Sequence, residues 1–211
     1  MYVYKIPRCF TLFRPIRIPY LYEDAFQWYE SFDPLGELLA NPNPTPALDV
    51  MDRVLGYLVS SCSWPPERIH LFGYAQGGSV AAEMALRRWK LSVPAPSSNS
   101  PAPATLPLGS IVTVDGSLLS YPTLKPACAI PALYFHHTEQ GSSDALVSFR
   151  KGFSSVNEVR FPGQAGMPRG KEWGKIVEFW SRMLSSRLTE MEGLHPVLSG
   201  GPSPPAVPTH E

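Results

Sequence analysis

Five residues, Gly73-Tyr74-Ala75-Gln76-Gly77, stand where this chain could do chemistry. They follow the apolar run Ile69-His-Leu-Phe72 and lead into Gly78-Ser-Val-Ala-Ala-Glu-Met-Ala-Leu86, so a buried strand turns sharply into a small-residue helix. That is the layout of the G-x-S-x-G elbow. Glycines two before and two after the centre let strand and helix approach, and the central hydroxyl stands ready to attack a carbonyl. The centre of such a turn is strained by about 1–3 kcal/mol. Here the centre is Ala75, which has nothing to attack with. A dinucleotide-binding turn is the rival reading. It needs G-x-G-x-x-G and an acidic residue about 20 positions on. This chain has G-x-x-x-G-G, with a proline-rich stretch at that distance.

Other reactive side chains lie nearby. Ser79, one turn into the helix, is placed to bond a backbone carbonyl sooner than to face a substrate. His136 and His137 end an apolar run, where either could act as a base, whereas His70 alternates within the elbow strand as a packed histidine. No His, Cys, Asp and Glu spacing suggests a metal site.

The elements that must position these groups follow from periodicity. Cys9 to Phe13 reads as a strand, and Thr45 as the N-cap of a helix with Pro46 at its first position, running to about Ser61. Strands are expected at Ile69–Phe72, Leu108–Val114, Ile130–Phe135 and Val156–Phe161. Helices are expected at 77–90, near 144–153 and at about 171–187. Strands alternating with helices predict a parallel sheet covered on both faces, with ligands beyond the strands' carboxyl ends. Ala75, His136, His137 and the Gly163–Met167 loop all fall at such ends. The aromatic segment Ile16–Phe32 reads either as a packed surface loop or as the wall of an acyl or aryl pocket.

Composition bounds the rest. A chain of 211 residues has room for one sizeable core. Its 18 basic and 18 acidic residues cancel, which removes the electrostatic reason to bind nucleic acid or an anionic membrane. Cys9, Cys62 and Cys128 are too few for a disulfide framework and read as buried or half-buried thiols in a reducing, cytoplasmic setting. No run approaches the roughly 18 apolar residues of a membrane span. The 24 prolines cluster at Pro94–Pro107 and in the tail, which read as mobile segments without the basic residues of a proline-rich ligand.

Arg68-Ile-His-Leu-Phe-Gly-Tyr-Ala-Gln-Gly-Gly78 resembles the R-I-x-L-x-G-F-S-Q-G-G segment of the phospholipase/carboxylesterase family, which includes the acyl-protein thioesterases. The likeness extends over most of residues 9–187. Arg14-Pro15 with Trp28-Tyr29-Glu-Ser-Phe32-Asp33 resembles the family's A-P…W-F-D stretch, Ile130-Pro-Ala-Leu-Tyr-Phe-His136 its strand before the catalytic acid, and Phe161-Pro-Gly163 its Y-x-G. The resemblance implies a three-layer α/β-hydrolase fold with a mostly parallel sheet, over a single domain at 1–190. That domain carries an insert at about 93–107, and a disordered tail follows at 191–211. The family works by a Ser-Asp-His triad and needs no metal or other cofactor.

Carried onto this chain, the nucleophile position is Ala75 and the acid is Asp144, in Asp144-Ala-Leu-Val-Ser-Phe149, with Gln140 the alternative in another register. The histidine position falls at Met167, and no histidine follows until His195. Gln76 supplies the remaining oxyanion amide, and Trp28, Tyr74, His136 and His137 are the expected pocket residues. Nothing upstream of Cys9 matches the strand ending H-G-x-G-D, so the first strand or strands are expected to be lacking, through a shortened chain or a start upstream of Met1.

Three readings follow from this. One is a degenerate hydrolase that binds an acyl group, a lipidated protein or another partner. The second is an ester or thioester hydrolase using Ser79 with His136 or His137, and the third a truncated, weakly folded product with an exposed sheet edge. Nothing in the sequence sets the oligomeric state.

Overall fold

A computed structural model describes residues 26–93, 106–137 and 143–188, together with strand backbones at 2–5, 9–12 and 16–17. Most of the proline-rich insert, Gln140 and the tail with His195 lie outside the described residues. The strands are β1 (Tyr2–Lys5), β2 (Cys9–Leu12), β3 (Ile16–Arg17), β4 (Phe26–Gln27), β5 (His70–Tyr74), β6 (Ser110–Val114), β7 (Ala132–His137) and β8 (Val156–Phe161). The α-helices are α1 (Thr45–Ser60), α2 (Gln76–Ser92), α3 (Ser143–Gly152) and α4 (Lys171–Leu188).

Strands β5 to β8 run parallel and adjacent in one sheet of order β2-β1-β5-β6-β7-β8. Burial on both faces explains the largely apolar character of β5, β6 and β7, whereas β8 alternates apolar and polar residues and is only half-buried. Alternate residues sort onto the two sides. Leu71, Ile111, Ala132 and Tyr134 join the core that includes Met51 and Leu55 of α1, Val80 and Met84 of α2, and Phe149 of α3. Phe72, Val112, Leu133 and Phe135 join the other, with Ile176 and Phe179 of α4. Each such large apolar side chain contributes about 1.5–3 kcal/mol on burial. Helices, sheet and helix make the three layers expected from the sequence.

On the far side of β5 lies β1, paired antiparallel to it with Val3 opposite Leu71, and β2 pairs antiparallel to β1. The elbow strand is therefore flanked on this side by an antiparallel strand from the N-terminal segment. β1 went unforeseen because the four residues Tyr2–Lys5, closely followed by Pro7, show too little periodicity. Its pairing partner is some 70 residues away in the chain.

Several expected boundaries move by one or two residues, two of them for identifiable local reasons. Helix α1 starts at Thr45 with Pro44 as its cap, not with Thr45 as the cap, because the Asn43 Oδ1 accepts the Thr45 amide at 3.0 Å and draws that residue into the first turn. Strand β7 runs two residues past Phe135, because the Asp115 carboxylate accepts the His137 amide at 2.9 Å and β8 pairs alongside as far as Phe161.

The elbow itself rests on bare backbone. A Cβ added to Gly73 would overlap the Gly77 carbonyl and the Gly78 amide, and one on Gly78 would press on the Thr113 hydroxyl. Gly73→Ala therefore forces β5 and α2 apart. A loss of about 3 kcal/mol or more is expected in urea unfolding. Gly56→Ala, at a position where an added Cβ meets nothing within 4 Å, serves as the control and is expected to be neutral or stabilising.

Candidate active site

Ala75 sits between β5 and α2 at φ 47°, ψ −121°, a left-handed conformation that a side-chain-bearing residue adopts only when its surroundings impose it. Those surroundings are on hand. The Ala75 amide donates to the Val114 carbonyl at 2.8 Å, continuing the β5–β6 ladder one residue past the strand. Its own carbonyl accepts the Gly78 and Ser79 amides at 2.9 and 3.1 Å. Gln76 and Gly77 open α2, so their amides have no acceptor within the helix and aim outward from its positive end. The strand-to-helix turn is thus held by hydrogen bonds along its backbone, and the side chain at its centre is a methyl group.

The Gln76 side chain ties this turn to the aromatic segment. Its Oε1 accepts the Trp28 amide at 2.9 Å, and its Nε2 donates to the Tyr29 carbonyl at 3.2 Å and the Ser31 hydroxyl at 2.8 Å. Trp28, expected in a pocket wall, is buried in the larger core, whereas Tyr74 stands exposed at the end of β5. Ser79 is buried. Its Oγ accepts the Ser117 amide at 3.1 Å and is hydrogen-bonded to the Tyr29 hydroxyl. Burial raises the Tyr29 pKa, the Ser79 bond opposes that rise, and the Glu83 charge adds to it. Glu83 in turn accepts the Leu119 and Ser120 amides at 2.8 Å each and the Ser120 hydroxyl at 2.7 Å, which fixes the loop after β6.

Across the sheet's carboxyl edge lies a group that sequence reading did not single out. Asp115 follows β6 at φ 50°, and its side chain is only 2 % exposed. Its Oδ1 accepts the His137 amide at 2.9 Å. Its Oδ2 takes both the His137 Nδ1 at 2.7 Å and the Gly166 amide at 3.2 Å. A carboxylate has no proton to give, so Nδ1 carries the hydrogen and Nε2 is left facing Glu172 Oε1 at 3.8 Å. Glu172, in the first turn of α4, also accepts the Arg169 amide at 2.6 Å. The signal available for Asp115 was its place: an acidic residue at the carboxyl end of the strand beside the elbow strand, followed by Gly116.

The remaining expected residues are placed as follows. The Gly166 bond to Asp115 seats the Gly163–Met167 loop against β6, with Met167 itself exposed. Asp144 is exposed in the first turn of α3. His136 is buried on the opposite face from His137, its Nε2 on Glu158 Oε1 at 3.1 Å, and His70 is buried against the Ser110 hydroxyl at 2.7 Å. Cys128 is buried, which pushes its thiol up to about 12, but Cys62 is exposed, contrary to the expectation of buried or half-buried thiols. Cys62 follows α1 at the surface turn 61–63, where no element covers it. Among the described residues no three His, Cys, Asp or Glu side chains are grouped to hold a metal ion, and no helix is long and apolar enough to cross a membrane.

Chemically, this edge can present helix amides and an apolar turn to a ligand. The Asp115 carboxylate and His137 imidazole hold the end of β7 and the 163–167 loop together at this edge.

No protein-family model matches the chain. It is 34% identical over 190 residues to an uncharacterized hydrolase of Mycosarcoma maydis, the alignment spanning 87% of this chain and 68% of that protein. Among solved structures it resembles the Zea mays acyl-protein thioesterase 2 (TM-score 0.54, 18% identity, 76% of this chain and 74% of that one). Esterase PE8 is similar at TM-score 0.54 and 18% identity, over 75% and 70% of the two chains. A SOBER1 variant of Arabidopsis thaliana gives 0.53 and 16%, over 75% and 74%. At these identities the solved structures establish the α/β-hydrolase fold.

Two outcomes test this geometry. Asp115→Ala strands the two buried His137 donors and the half-buried Gly166 amide and is expected to cost about 3–5 kcal/mol in urea unfolding, with Asp144→Ala close to neutral. The second concerns alkaline pH. Burial first, then the charges of Asp115 and Glu158, push the Tyr134 hydroxyl up to about 12, above its ordinary 10.0. The folded chain therefore holds this proton more tightly than the unfolded one. Its contribution is complete below pH 10 and is lost as pH rises from about 10 to about 12. Tyr134→Phe is expected to flatten that part of the stability–pH curve.

Proposed function

The chain belongs to the family of the Mycosarcoma maydis hydrolase, and from that premise we propose that it is a catalytically degenerate member which binds an acyl group or a lipidated protein without hydrolysing it. The observation that carries this reading is Ala75 at φ 47°, ψ −121°: the strained turn is retained while the attacking atom is gone. Triad hydrolases stripped of catalytic members keep only about 10³–10⁴-fold acceleration over water, from oxyanion donors and binding alone. Met167 at the expected position of the base and an exposed Asp144 at that of the acid support the same conclusion. So does Ser79, whose hydroxyl is buried and engaged by Ser117 and Tyr29.

What persists favours binding. The Gln76 and Gly77 amides would meet a carbonyl oxygen, and the methyl of Ala75 removes a polar group from the path of an acyl chain. The balanced charge speaks against nucleic acid as ligand, and the free thiols of Cys62 and Cys128 favour the cytoplasm as its compartment.

A serine-directed fluorophosphonate probe and a short-chain aryl ester test the loss of catalysis. No labelling and no turnover above buffer are expected from the folded chain, and stoichiometric labelling would overturn the proposal. Fluorescence titration with a long-chain acyl probe tests retained binding. Ala75→Asp, which places a charge at the elbow, is expected to weaken it about tenfold.

A further inference from the structure

The segment that Gln76 anchors projects an ordered turn into water. Phe32 and Leu38 face one another across an antiparallel bridge, and Leu35 lies at the tip between them. Asp33 holds the turn from within. Its Oδ1 accepts the Leu35 and Glu37 amides at 2.9 Å each, its amide donates to the Glu37 carbonyl at 2.9 Å, and its carbonyl accepts the Gly36 amide at 3.0 Å. Gly36 supplies the left-handed residue at φ 84°, and the Leu39 amide closes on the Ser31 carbonyl at 2.8 Å.

Backbone and one carboxylate thus order this turn, with no help from apolar burial. Phe32 is 58%, Leu35 87% and Leu38 76% exposed. Three large apolar side chains kept side by side in water gain nothing for folding, and such patches mark interaction surfaces.

Charge selects the partner. Glu30 and Glu37 are exposed on the same turn, and no Lys, Arg or His occurs between Arg17 and Arg53. An anionic lipid surface is repelled by such a rim, and two copies of it repel each other. We propose that the turn at residues 30–39 docks a cationic amphipathic segment of a partner protein, whose apolar side chains cover Phe32, Leu35 and Leu38 while its Lys or Arg side chains meet Glu30 and Glu37. Because the turn is already ordered, docking costs little conformational entropy on this side. The Gln76 bonds to residues 28–31 place the docked segment beside the elbow. This surface operates whether or not the elbow holds an acyl group.

The test is fluorescence anisotropy of a short labelled Leu/Lys amphipathic peptide titrated with the full chain, against a Leu/Glu peptide of the same apolar spacing. The Leu/Lys peptide is expected to bind. Leu35→Ser/Leu38→Ser and, separately, Glu30→Gln/Glu37→Gln are each expected to weaken it about tenfold, and added salt should weaken it too. Both variants are expected to melt like the parent. If the leucine variant does not fold, the glutamine variant decides alone. Equal binding of the two peptides, or peptide binding that neither folded variant weakens, overturns the proposal. So does sedimentation with phosphatidylserine vesicles, or a dimer in analytical ultracentrifugation, that is lost in Leu35→Ser/Leu38→Ser.

Discussion

Everything at the candidate site depends on one close approach, that of β5 to the first turn of α2. Gly73 and Gly77 meet there without side chains between them, and Gly78 rests on Thr113 of the neighbouring strand. This contact leaves Ala75 no freedom. It must turn through positive φ so that its amide can reach Val114 and its carbonyl can serve the helix. The strain at the centre is therefore sustained by packing that would exist whatever residue stood there. A side chain can lose its chemistry at such a point without loosening the fold.

Around this junction buried polar groups tie the loops to the sheet. Asp115 binds the end of β7 through two contacts with His137 and the 163–167 loop through Gly166. Glu83 holds the chain after β6 in the same manner, with three donors on one carboxylate. A buried carboxylate that accepts several donors fixes the backbone that supplies them, because breaking any one bond leaves a polar group unpaired. These residues fix the ends of β6 and β7 and the loops beside Ala75. The Gln76 side chain extends that order outward to Trp28, Tyr29 and Ser31, and so to the exposed turn beyond.

Local sequence rules were enough for much of the architecture. The glycine spacing of the elbow, the periodicity of α2 and α4, and the largely apolar, β-branched or aromatic runs of β6 and β7 each follow from a few neighbouring residues. They were accordingly legible. β1 was not, since the four residues Tyr2–Lys5 carry no clear period, and their strand is set by pairing with β2 and with the distant β5. Asp115 was missed for a related reason. Its chain neighbours show a turn, and only the meeting of β6 with β7 brings His137 to its carboxylate.

By itself, then, the sequence determined that strand and helix would cross at a glycine elbow and that Ala75 would occupy its centre, because both are matters of residue type and spacing. Tertiary structure alone decided what the surrounding polar residues do. His136 and His137 are neighbours in the chain, yet alternation along β7 sends one to Glu158 and the other to Asp115. Likewise Trp28 went into the core while Phe32, four residues on, was left in water. Partners for such side chains come from elements remote in sequence, and only the folded sheet sets which of them meet.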